Sequence, residues 1–126
     1  MKPMPMYTST FIFATRQLDA DFHRLDAIIA TAARSIDGYV GEEAWTDTDK
    51  GLVSNVYYWQ SLEALQALMQ HPAHLEAKAA QARWLDGYQV VISQVLRTYG
   101  DGQLAGRLST AGLFAQSAPG HSTGAA

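Results

Sequence analysis

Residues 52–60, Leu-Val-Ser-Asn-Val-Tyr-Tyr-Trp-Gln, carry apolar or aromatic side chains at both alternating positions of an extended chain. A strand sends successive side chains to opposite faces, so Val53, Asn55, Tyr57 and Trp59 share one face. Leu52, Ser54, Val56 and Tyr58 share the other. A strand of this kind is normally covered on both sides. An amide in its middle has two readings, since burying it unpaired costs about 1–3 kcal/mol. Either Asn55 is satisfied by backbone or water, or it is kept for a ligand.

The same patterning predicts the other elements. Residues 6–15 are rich in β-branched and aromatic types and read as a first strand. From Leu18 to Ser35 the spacing becomes helical, with Phe22, Leu25, Ile28, Ile29, Ala32 and Ile36 on one stripe and Asp19 or Asp21 to cap it. Asp37-Gly38 ends that helix. Tyr39–Thr46 is a second strand, and the turn chemistry of Asp47–Gly51 makes strands two and three antiparallel neighbours. Ser61–Met69 is a short amphipathic helix, broken at His71-Pro72. A further helix then runs over Pro72–Leu85, with Ala73, Ala77, Ala80 and Trp84 on one face. Asp86-Gly87 ends it, and Tyr88–Tyr99 is the fourth strand.

This order predicts an α+β chain with the ferredoxin-like βαββαβ arrangement and an antiparallel sheet. Its helices cover one face of the sheet. The other face is also apolar, which predicts a homodimer whose two sheets close into a dimeric α/β barrel. Past Gly100 small residues and glycines dominate, so the expectation is one domain over 1–100 and a C-terminal extension over 101–126. Leu104, Leu108, Leu113 and Phe114 would anchor that extension, either as an arm across the partner or as a loosely attached segment. The stretch from Ser117 reads as a flexible tail.

Charge and composition narrow the function. With 9 Lys and Arg against 12 Asp and Glu, the net charge of −3 argues against a nucleic-acid partner. The absence of cysteine excludes a disulfide framework, a thiolate metal site and a cysteine nucleophile. No window approaches the roughly 20 apolar residues of a membrane span, and the prolines of Met1–Met6 interrupt what a signal peptide would need. The expectation is a soluble, cytoplasmic protein with no membrane contact. No phosphate loop, His-Glu-x-x-His pair or nucleophile elbow occurs. His71 and His74 are badly spaced as metal ligands, so no metal is expected.

What chemistry remains gathers on a few residues. His74, Lys78 and Gln81 form a polar i, i+4, i+7 stripe beside the alanine face of the second long helix. His74 is the candidate general base, its normal pKa lying nearest neutrality. Asn55 offers two donors. Roughly 13 Å of extended chain separates Asn55 from Trp59, so the pair would bracket a flat ligand, with Tyr57 between them. Trp84 and Tyr88 join Tyr57 and Lys78 as candidate contacts to a small hydrophobic or aromatic ligand. Each of these also has a plainer reading that outweighs the first: the aromatics as core, and His74 and Lys78 as solvated residues. Arg97 is expected to pair with Glu42 or Glu43, or else to meet an anionic substrate.

Asn55-Val-Tyr-Tyr-Trp59-Gln-Ser-Leu-Glu-Ala, His71-Pro72-Ala73-His74 and Trp84…Tyr88, in this element order, resemble the antibiotic biosynthesis monooxygenase family over about residues 6–99. The resemblance implies a dimeric α/β barrel. It implies a monooxygenase that needs no cofactor, metal or flavin and oxidises anthrone-like or dihydroquinone substrates to quinones. It also implies that Asn55 and Trp59 position substrate and oxygen. Two positions depart from the pattern: Leu65 stands where such enzymes carry a Tyr, and Lys78 where they carry an Arg. Two other readings stay open, a non-catalytic dimeric module that binds a small ligand and a haem-binding or haem-degrading protein. Against haem, Leu68 stands at the Trp position of those enzymes and Lys78 at their His.

Overall fold

The computed structural model describes residues 5–109. Its elements are β1 (Tyr7–Thr15), α1 (Ala20–Ser35), β2 (Tyr39–Asp47), β3 (Leu52–Trp59), α2 (Leu62–Met69), α3 (Pro72–Ala80) and β4 (Leu85–Gln94), with a short 3-10 turn over Gln81–Arg83. The four strands form one antiparallel sheet in the order β2-β3-β1-β4. This is a ferredoxin-like α+β fold, as the element order predicts.

Local chemistry starts each helix. The Asp19 carboxylate accepts from the Phe22 N–H at 3.0 Å, and Ser61 Oγ accepts from the Ala64 N–H at 3.1 Å. His71 Nδ1 accepts from the Ala73 N–H at 3.0 Å, with Pro72 behind it in the first turn. Between β2 and β3, Asp47 Oδ1 accepts from the Lys50 N–H and Gly51 takes a φ of +69°. All of this closes the tight hairpin.

The core lies between the helices and one face of the sheet, in two clusters. Ala33, Trp59, Ala64, Leu65 and Leu68 form one; Phe13, Leu25, Ala73, Trp84 and Leu85 form the other. The register sets what faces the helices: Asn55 stands opposite Phe11 and Ala44, and Tyr57 opposite Ser9 and Glu42.

Several boundaries differ from the sequence expectation. The first helix starts at Ala20 rather than Leu18, because Asp19 is its cap. The third ends at Ala80, where the chain tightens into the 3-10 turn before Trp84. The fourth strand is displaced most: it runs over Leu85–Gln94, not Tyr88–Tyr99. Asp86-Gly87 is absorbed into the strand as an irregularity, with Gly87 at φ +137°, where β1 shifts register between Phe13 and Thr15. The strand ends at Gln94 because its partner begins at Tyr7. Arg97 does not pair with Glu42 or Glu43. β2 and β4 are opposite edges of the sheet. Glu42 is instead held by Arg34 at 3.0 and 3.2 Å and by the Tyr39 hydroxyl, while Arg97 lies over the Tyr99 ring.

Beyond β4 the chain reaches the β2 edge, where the Ser109 N–H donates to the Glu43 carboxylate and its hydroxyl to the Glu42 carbonyl. Leu113, Phe114 and the expected tail from Ser117 lie outside the described residues. Among the described residues, no helix is long and apolar enough to cross a membrane.

Candidate functional site

A cavity of about 560 Å³ opens between the sheet and the helices. Ser9, Phe11 and Phe13 of β1, Asn55 and Tyr57 of β3, and Tyr88 and Val90 of β4 form its floor. The period of two along each strand puts these side chains on the helix side. Phe22, Leu25, Asp26 and Ile29 of α1 form one wall. His74, Ala77 and Lys78 of α3, followed by Gln81 and Trp84, form the other, and Leu65, Leu68 and Met69 close the α2 end. At Ala77 the α3 wall presents only a methyl group, which leaves room that a larger side chain would take.

Of the residues singled out in the sequence, Asn55, Tyr57, His74, Lys78, Gln81, Trp84 and Tyr88 all meet at this cavity. Trp59 does not. Its side chain is 0% exposed, packed among Ala33, Ala64, Leu65 and Leu68, one alternate position beyond Tyr57. Asn55 and Trp59 therefore do not bracket a shared ligand space. Trp59 reaches the site only indirectly: its indole N–H donates to Ser9 Oγ at 3.0 Å, and Ser9 lines the cavity. Trp84 is buried too, yet it lines the cavity, and its indole N–H donates to Asp19 Oδ1 at 2.8 Å. One carboxylate thus caps α1 and fixes the cavity wall.

The polar groups fall into two electrostatic classes. Burial lowers the His74 pKa from its ordinary value, and the Lys78 charge one turn away pushes it the same way against an opposing Met69 backbone contact. His74 is therefore neutral near pH 7, and its buried Nδ1 has no hydrogen-bond partner among the described residues. Burial, reinforced by Glu42 and Asp26, pushes the Tyr57 hydroxyl well above its usual range, so it stays protonated. Asp26 as a whole remains solvent-accessible, but its carboxyl at the cavity wall loses hydration and its pKa rises. Asn55 is half-buried, and no hydrogen bond joins its amide to another described residue. Of its two readings, retention for a ligand fits the cavity.

Asp26 is a site residue that the sequence analysis does not single out. The signal was present: Asp26 is four residues after Phe22 and three before Ile29, a carboxylate inside an apolar stripe. Phe11 and Phe13 read only as strand residues, since nothing local says that their face borders a space. Among the described residues, no group of three or more His, Asp or Glu side chains is placed to hold a metal ion.

Solved structures place this arrangement among known folds. One is SnoaB, described as a cofactor-independent oxygenase from Streptomyces nogalater: TM-score 0.61, 18% identity, covering 75% of this chain and 96% of that one. A proposed antibiotic biosynthesis monooxygenase from Nitrosomonas europaea superposes with TM-score 0.60 at 13% identity, covering 79% of this chain and 99% of that one. The chain has their fold. A third, a dabb-family protein with a ferredoxin-like fold from Mesorhizobium loti, superposes with TM-score 0.54 at 12% identity, covering 73% of this chain and 98% of that one. No protein-family model matches the sequence, and no curated protein matches it. At these identities the likeness is one of fold, and the chemistry rests on the cavity.

Proposed function

We propose that this chain is a monooxygenase that uses O₂ and no cofactor to oxidise a small aromatic or quinol-type substrate, acting as a cytoplasmic homodimer. One observation carries the reading: Asn55 and His74 present uncommitted polar atoms to a single cavity walled mainly by aromatic and aliphatic side chains. The alternative of a purely passive binding module would suit a pocket without titratable groups, whereas this one holds Asp26, Tyr57, His74 and Lys78. The fold shared with a described cofactor-independent oxygenase supports the same reading.

The neutral His74 imidazole accepts the proton of a phenol or anthrone-type methylene, leaving an electron-rich anion. The Asn55 amide, with the protonated Tyr57 hydroxyl nearby, stabilises the negative charge on the substrate oxygen. That anion reduces O₂ and forms a carbon–oxygen bond. Loss of water from the hydroperoxide leaves a carbonyl, so one oxygen atom enters the product and the other leaves as water. The four electrons come from the methylene carbon of an anthrone, or from the ring of a phenol as its C–H carbon becomes C=O.

Oxygen uptake with a panel of anthrones and dihydroquinones tests this. Consumption of one O₂ per quinone formed is expected; a chain that leaves oxygen untouched across the panel is not an oxygenase. A saturable Soret shift with haemin, lost in His74→Ala, would favour the haem reading instead. For the dimer, light scattering at a single-subunit mass would remove the two-sheet barrel.

A further inference from the structure

Beside the main cavity lies an open depression of about 510 Å³, lined by Arg16, Ala82, Asp86 and Gly87 together with Gln81, Leu85 and Tyr88. The last three also line the main cavity, so the two spaces adjoin along them. The two spaces differ in chemistry. The main cavity is mainly aromatic and aliphatic, with Asp26, His74 and Lys78 in its walls, whereas the depression holds the Arg16 guanidinium beside the Asp86 carboxylate.

Arg16 is built into this position. Its backbone N–H donates to the Trp84 carbonyl at 2.7 Å, as does that of Gln17 at 3.3 Å, so the end of β1 is tied to the residue that walls the main cavity. Its side chain is then oriented by Asp86, which accepts from Nε at 2.8 Å. That bond uses the inner edge of the guanidinium. The outer edge, with its two Nη groups, makes no hydrogen bond to another described residue, and it is the geometry that takes a carboxylate through two parallel bonds.

We propose that the substrate of the main cavity carries a carboxylate on a short arm, which passes Gln81, Leu85 and Tyr88 and is held by the outer edge of Arg16. Arg16 then sets specificity, while the proton and oxygen chemistry stays with His74 and Asn55. The Arg16–Asp86 pair is more than half exposed on both sides, so its loss leaves the fold intact. The proposal rests on the aromatic-ligand reading of the main cavity, and the following test separates the two.

The probes are 9,10-anthraquinone-2-carboxylate and 9,10-anthraquinone-2-carboxamide, matched in ring and size, with binding read by quenching of tryptophan fluorescence. The acid is expected to bind on the order of tenfold tighter than the amide. In Arg16→Gln that preference falls to about one while amide affinity is unchanged, and Arg16→Lys restores part of it. Equal binding of acid and amide by the unaltered chain, or equal weakening of both in Arg16→Gln, overturns the role of Arg16 and leaves the aromatic cavity standing. Failure of both probes to bind overturns the aromatic cavity, and this proposal with it.

Discussion

Trp59 and Trp84 are both buried, both face the helices, and both donate the indole N–H to an oxygen of another element. Their surroundings differ. Trp59 packs with Leu65 and Leu68 of α2 and Ala33 of α1, which leave it no exposed surface. Trp84 meets Ala73, Ala80 and Phe22, and beyond it the alanine face of α3 leaves the cavity unfilled. The same residue type is thus a wedge at one end of the layer and a wall at the other. The size of the opposing helix residues decides which.

This contrast predicts graded responses. The largest is Trp59→Ala, which removes a fully buried indole from a filled region and should cost about 3–5 kcal/mol of stability. Urea denaturation would show it, and a loss under about 1 kcal/mol would mean that the Trp59 end is not the tight half of the core.

Next comes Asn55→Ala at the open end. Stability should move by less than about 1 kcal/mol, because the amide has no protein partner to strand. Turnover on the active substrate should fall on the order of a hundredfold, as for a lost oxyanion donor. Unchanged kinetics would return Asn55 to a structural role.

The smallest effect is in pH dependence. Because the folded-state pKa of His74 lies below its ordinary value of 6.5, the unfolded chain takes up this proton first as pH falls. The neutral imidazole therefore carries no penalty above pH 6.5, and stability declines as pH drops below it. His74→Gln should flatten that decline. If His74 is the base, kcat/KM of the unaltered chain should rise with pH through a midpoint below 6.5 and reach a plateau by neutrality. A profile with its midpoint well above 6.5 would assign the base elsewhere.

The filled end and the open end were unequally legible. Period-two alternation in residues 52–60 put Asn55, Tyr57 and Trp59 on one face, and the helical stripe of His74, Lys78 and Gln81 was visible from spacing alone. Both follow from local geometry, in which side-chain direction is set by backbone periodicity. Asp19 as a cap and Gly51 as part of the hairpin turn belong to the same class, since each acts within a few residues. Asp86-Gly87 was misread as a terminator because its strand character comes from pairing with β1, seventy residues away in the chain.

Sequence periodicity by itself therefore determined the element order, the faces and the βαββαβ arrangement. Tertiary structure alone decided that Tyr57 borders a space while Trp59, two residues on, does not. It also brought Asp26 to the cavity wall and set Arg16 against Asp86. The reason is physical: a face is a property of one element, whereas a cavity is a mismatch in size between two, and no single segment encodes what stands opposite it.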